Sequence, residues 1–204
     1  GGFNGDNPTT LKSTGNDIST TNTQGFDISD ANASGSVAYK RAINAVSNPD
    51  EFDINLLVTP GVVHEYHSQV TNHAITKVED RADAFYVMDG SRWGRSVTNA
   101  VSDVKGLDTN YAGTYYPWVK ILDPDLDKPV WVPPSVVIPG VIANTDAVAH
   151  EWFAPAGLNR GGLGSVIEAK TRLTHKERDT LYEGRVNPIA SFPQQGVVVF
   201  GQKT

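Results

Sequence analysis

The chain has 204 residues, 39% of them hydrophobic and 20% charged, with 19 glycines, 12 prolines and no cysteine. This length supports one domain or two small ones with a real core. The missing cysteine excludes a disulfide scaffold, an iron–sulfur site, a thiol nucleophile and cysteine-ligated zinc. Seventeen basic against 23 acidic side chains leave a net charge of −6, so a nucleic-acid partner is not expected.

No apolar run approaches the length of a membrane span and no charged-then-apolar leader is visible, so a soluble protein without a membrane partner is expected. The chain opens Gly1-Gly2-Phe3-Asn4-Gly5 and holds a single methionine, Met88. That opening reads as a piece of a longer polypeptide.

Residues 1–36 stand apart. Gly, Asn, Asp, Ser and Thr fill 26 of these 36 positions, and Lys12 is the one basic residue. Such residues compete with their own backbone for hydrogen bonds, which predicts a polar surface loop or insertion. Residues 37–204 then form the expected core domain.

Residues 36–47 read as a short helix with Val37, Ala38, Ala42, Ile43 and Val46 on one face, stopped by Asn48-Pro49-Asp50. The apolar run 54–58 suits a buried strand ended by Thr59-Pro60-Gly61. Residues 63–80 follow helical spacing. Residues 84–88 form a second apolar strand ended by Asp89-Gly90, and residues 93–105 a third helix ended by Gly106. This alternation predicts a parallel sheet flanked by helices. Right-handed crossovers place Pro60 and Asp89 on one rim, where open α/β sheets bind ligands.

Two aromatic, β-prone runs around a Pro/Asp tip predict a β-hairpin across 111–132. Pro133-Pro134 follows, then a helix over 135–149 disturbed at Pro139. A strand is expected over 166–173. Thr174 and Glu177 form a capping box for a helix reaching about Val186. The last strand is 196–200. The fold class is therefore α/β, with a mostly parallel sheet and one hairpin.

Motifs with chemistry fall short one by one. His64-Glu65-Tyr66-His67 spaces its histidines i, i+3, whereas a metalloprotease helix needs i, i+4. Adding His73 would make a three-histidine zinc site conceivable, but surface or capping roles suit these side chains better. Asp123, Asp125 and Asp127 start like a calcium loop, yet Lys128 and Pro134 stand where glycine and glutamate are needed. The Gly161-Gly162-Leu163-Gly164 run precedes a strand rather than a helix and has no Lys-Ser/Thr pair, so tight backbone geometry explains it better than phosphate binding. Gly-x-Ser-x-Gly does not occur, so no nucleophile elbow is available to a serine hydrolase. Catalytic, cofactor and metal residues are accordingly assigned to none. Trp118, Trp131 and Trp152 are expected to close the core, with an interface as the other use.

Several stretches resemble those of a known family. These are Tyr115-Tyr116-Pro117-Trp118-Val119-Lys120, Val130-Trp131-Val132-Pro133-Pro134-Ser135, Gly140-Val141-Ile142-Ala143-Asn144-Thr145-Asp146 and Trp152-Phe153-Ala154-Pro155-Ala156-Gly157-Leu158-Asn159-Arg160-Gly161. Glu177-Arg178-Asp179-Thr180-Leu181-Tyr182, Asn187-Pro188-Ile189 and the closing Phe200-Gly201-Gln202-Lys203-Thr204 continue the series. Residues 111–204 resemble the contractile tail sheath proteins of myoviruses, and 54–61 and 81–89 do so more loosely.

The resemblance implies a structural, non-enzymatic subunit with a subtilisin-like α/β topology but without the catalytic serine context. It implies a homo-oligomeric helical sheath around a tail tube, with baseplate and tail terminator proteins as further partners. Contraction would drive the tube through the host envelope during genome delivery. The protein would sit in the virion, and in the host cytoplasm during assembly. It also implies that extended arms and much of the tube contact lie outside this stretch. A sheath subunit of a related contractile injection system or phage-tail-like bacteriocin is the nearest alternative. A subtilisin-like hydrolase is an alternative of another class.

Overall fold

A computed structural model describes residues 27–125 and 127–204. The first 26 residues of the polar 1–36 segment lie outside that range. In its remainder, α1 (Ser34–Ala45) begins two residues before the expected start. Ile28, only 2% exposed, already belongs to the core.

The chain then runs through β1 (Leu56–Val63), α2 (His64–Arg81), β2 (Phe85–Asp89), α3 (Val97–Asp103) and β3 (Ala112–Tyr116). Next come β4 (Val119–Asp123), β5 (Lys128–Val132), a 3-10 turn at Pro134–Val136 and α4 (Ile138–Val148). The series closes with β6 (Val166–Ala169), α5 (His175–Glu183), β7 (Val186–Phe192) and β8 (Gly196–Val199). No helix among the described residues is long and apolar enough to cross a membrane.

The main sheet has the order β1-β2-β3-β7-β8. Its first four strands are parallel and β8 is antiparallel to β7. A smaller antiparallel sheet has the order β5-β4-β6. The expected α/β class with a mostly parallel sheet is therefore what the chain adopts.

Strand alternation sorts the main sheet's side chains onto two faces. Tyr86, Met88, Tyr116 and Val186 pack with Ile28, Ile43 of α1, Val70 and Val78 of α2, Ala100 of α3 and Leu181 of α5. Val87, Tyr115 and Ile189 point the other way, onto Ile138 and Val141 of α4 and Val119 of β4. One face is thus covered by four helices, and the other by α4 with the small sheet.

Five details depart from the expectations. First, β1 does not end at Pro60-Gly61 but continues to Val63, with a register shift against β2 between Val58 and Val63. Such a bulge accommodates a residue that cannot donate to the ladder. Second, the hairpin is only 119–132. The preceding aromatic run is β3, buried along its whole length between β2 and β7, as an inner parallel strand must be.

Third, α3 is shorter than 93–105 because residues 90–96 are held in a loop described below. Fourth, Pro139 lies in the first turn of α4, where no intrahelical donor is needed, and so does not disturb it. Fifth, α5 stops at Glu183 and β7 follows at once. A Cβ on Gly184 would lie 2.4 Å from Val101 Cγ1, so only glycine lets α5 end in contact with α3. Pro188 is accepted inside β7 because its pairing with Tyr116 is the last along β3.

The capping box at the start of α5 forms as expected, with the Thr174 hydroxyl accepting from Glu177 N and Glu177 Oε2 accepting from Thr174 N at 2.8 Å. Replacing Ile28 by alanine is expected to lower unfolding stability by roughly 2–5 kcal/mol. Urea titration would read this as a shifted midpoint at unchanged slope, and no shift would mean that the segment before α1 is not part of the core.

Candidate functional site

The expected rim forms where β1 and β2 end. Asp89, the last residue of β2, is 1% exposed. Its Oδ1 accepts from Ser135 N at 3.0 Å and its Oδ2 from Ser135 Oγ at 2.6 Å. Gly61 N is a third donor to the carboxyl. Burial outweighs these donors and pushes the Asp89 pKa up to about 7. The group ties the bulge of β1 and the 3-10 turn to the end of β2. Ser135 Oγ donates its hydrogen bond to Asp89 and is itself 1% exposed, so the pair forms a buried tether.

The three histidines considered as a metal set do not converge. His64 Nδ1 is 2.7 Å from Thr71 Oγ1, and His73 Nε2 is 2.8 Å from Asn44 Oδ1. Burial lowers the pKa of both imidazoles. His67 is not a surface residue: it is fully buried, and its Nδ1 accepts from Val63 N at 3.0 Å. A non-helical backbone at His67 (φ −124°, ψ 38°) lets its ring fold back and satisfy an N–H at the start of α2. Among the described residues no group of three or more His, Cys, Asp or Glu is arranged to hold a metal ion.

The loop after β2 is pinned from several sides. Glu65 of α2 accepts from Arg92 N at 3.1 Å and pairs with Arg95 at 3.5 Å. Arg95 is bidentate to Asp103, at 2.8 and 2.6 Å. Tyr116 Oη donates to Arg95 O at 2.6 Å, and Trp118 Nε1 to Ser91 O at 2.9 Å.

The tryptophans part company. Trp118 is buried, as expected, but Trp152 is 79% exposed, its ring stacked on His150 at 4.5 Å. Trp131 is half-buried and meets Trp93 edge-on at 6.4 Å. Lys120 Nζ lies 4.6 Å from the Trp131 ring and also pairs with Glu168. Lys170 Nζ lies 4.4 Å from the Trp93 ring and 5.6 Å from that of Trp131. This stack clamps the small sheet to the rim loop.

Asp123 and Asp125 turn the hairpin tip, with Asp125 N donating to Asp123 Oδ1 at 2.9 Å. The glycine-rich run lies along β8. Val199 N donates to Gly161 O at 2.7 Å, and a Cβ at Gly161 would stand 2.5 Å from Val199 O. Sequence reasoning missed the Asp89–Ser135 pair, which spans 46 positions. The only local signals were an acidic residue closing an apolar strand and a serine after two prolines.

Residues 32–204 match the model of the phage tail sheath protein central domain. The chain belongs to that family. The tail sheath protein of Vibrio phage KVP40 is 30% identical over 201 residues, which cover 86% of this chain and 30% of that protein. The tail sheath protein of Enterobacteria phage T4 is 39% identical over 74 residues, 36% of this chain and 11% of the relative. The chain thus spans less than a third of either curated relative.

Among solved structures, one from the anti-feeding prophage baseplate aligns with a TM-score of 0.63 at 27% identity, covering 86% of this chain and 43% of its own. A PVC sheath complex in the contracted state aligns at 0.59 and 27%, covering 79% and 43%. The contracted helical sheath of the anti-feeding prophage aligns at 0.57 and 25%, covering 86% and 44%.

In this sheath central domain the Asp89 tether has a pH signature. An unfolded aspartate titrates at 3.8 and the folded one at about 7, so between those values the folded state binds more protons. Stability contributed by this group therefore falls as pH rises from about 4 to 7. Asp89→Asn is neutral throughout and removes that slope. Urea titrations at pH 5 and pH 7.5 should show the parent losing stability relative to the variant. Parallel behaviour would place the titration elsewhere. Trp131→Ala is expected to cost about 2 kcal/mol through loss of the ring contacts and both lysine contacts. A change below about 0.5 kcal/mol would mean the clamp contributes nothing.

Proposed function

We propose that this chain is the central domain of a contractile tail sheath subunit. In this reading, the core takes in Ile28 and α1 together with 37–204, and the rest of the polar 1–36 segment is a surface loop or insertion. Copies assemble helically around a tail tube and contract to drive it through the host envelope. The family match over 32–204 carries the proposal, and the likeness to two sheaths in contracted states supports the contractile part. Contraction needs a unit that moves as a body between two packings. A sheet covered on both faces, with its rim loop tied to α2, α3 and β3, suits that role.

The domain acts without catalysis in this reading, which its likeness to tail sheath proteins supports. Its partners are further sheath copies, the tube protein, the baseplate and the tail terminator. It belongs to the virion, after assembly in the host cytoplasm. A second reading, a sheath subunit of a related injection system, is favoured by the anti-feeding prophage and PVC likenesses.

Electron microscopy of the full-length subunit expressed alone, and again with purified tube protein, tests the proposal. Hollow tubes with a regular helical repeat are expected in at least one preparation. Dispersed particles in both would sink it.

A further inference from the structure

A second surface lies away from the rim. The loop at 154–157, the outer side of α5 and the end of β8 enclose a groove of about 480 Å³, lined by Gly157, His175, Arg178, Asp179, Tyr182 and Phe200 among others. That volume is in the range of a binding cleft. Its aromatic walls are open, with Tyr182 43% and Phe200 42% exposed. Cations sit on those rings. The Arg178 guanidinium lies 5.1 Å from the Phe192 ring and 5.4 Å from that of Phe200, and Lys203 Nζ lies 3.8 Å from the Tyr182 ring. Neither cation has a carboxylate partner among the described residues, whereas the neighbouring His175 is paired with Asp179 at 3.0 Å.

The hairpin tip has the opposite character. Asp123, Asp125 and Asp127 stand within five positions, with Lys128 the one cation beside them. Asp125 and Asp127 are exposed, and Leu122 next to them is 51% exposed. Among the described residues no cation pairs with Asp125 or Asp127. A hydrogen bond from Asp125 N to Asp123 Oδ1 ties these two positions together.

We propose that the acidic β4–β5 tip of one copy docks into the Arg178–Tyr182–Phe200 groove of a second copy. The two surfaces complement each other in charge, and each offers exposed apolar area next to its charges. They are different surfaces of one chain, so the contact is head-to-tail. Such contacts repeat without closing when the rotation does not return on itself, which is the geometry of a helical array. The inference rests on the sheath reading and names a contact within it.

Charge reversal tests it in the full-length subunit, in whichever preparation gives tubes. Asp125→Lys with Asp127→Lys, and separately Arg178→Glu, should each lower the sedimenting, tubular fraction at least tenfold. All three changes together should restore it to within about twofold of the parent. Thermal unfolding within a few degrees of the parent would show that the variants are folded. A tip variant that assembles like the parent would overturn the contact and leave the sheath reading intact.

The absence of cysteine allows a second readout that does not need tubes. Asp125→Cys protein mixed with Gln202→Cys protein and oxidised should give a covalent mixed dimer, with much less product from either alone. No mixed dimer would overturn the docking. A mixed dimer without tubes in any preparation would keep the contact and sink the sheath reading.

Discussion

A carboxyl group out of reach of water sits where the main sheet meets everything packed on its far face. Asp89 closes β2, and its oxygens are taken up by Ser135 and Gly61. Leaving such a group unpartnered costs far more than a surface hydrogen bond returns. The 3-10 turn before α4 therefore has one place to dock. With it come the direction of α4, the contact of Ile138 and Val141 with the sheet, and the path by which the small sheet returns to the body.

The charged rim works alongside that tether. Glu65, Arg95 and Asp103 link the start of α2 to α3 through the loop between β2 and α3. The buried Trp118 and the hydroxyl of Tyr116 bond to the same loop from the opposite side. The segment that carries ligand loops in other open α/β sheets is thus part of the rigid body here. This matters for a subunit proposed to do its work by changing neighbours rather than shape, because strain passes through a close-packed unit without being absorbed locally.

Much of this was legible beforehand. The helix–strand alternation from Val37 to Lys105 pointed to a parallel sheet, since apolar runs of strand length between amphipathic helices have few other solutions. Thr174 and Glu177 marked the start of α5 because a capping box is a local chemical event. Tyr111–Tyr116 was harder to place. Aromatic and β-prone residues suit a hairpin edge and an inner parallel strand alike, and the choice depends on whether β2 and β7 lie on either side. β7 itself was hidden behind Pro188, which argues against a strand unless its ladder ends there. His67 does satisfy an N–H at the start of α2, as a capping histidine would, but its burial comes from a kink that no spacing rule encodes.

What the sequence by itself determined is the α/β class, the start of α5 at its capping box, the resemblance to a known family, and the lack of a matching catalytic or metal motif. The class, the cap and the motif spacings follow from local periodicity and chemistry that act over a few neighbouring positions, whereas the family rests on the resemblance of whole stretches such as Trp152–Gly161. Only the tertiary structure decided that Asp89 meets Ser135, that Trp131 is clamped by two lysines while Trp152 faces solvent, and that Arg178 and Lys203 rest on aromatic rings beside an open groove. Those pairings join residues from different elements. They are set by which faces the sheet buries, and one-dimensional order does not contain that information in readable form.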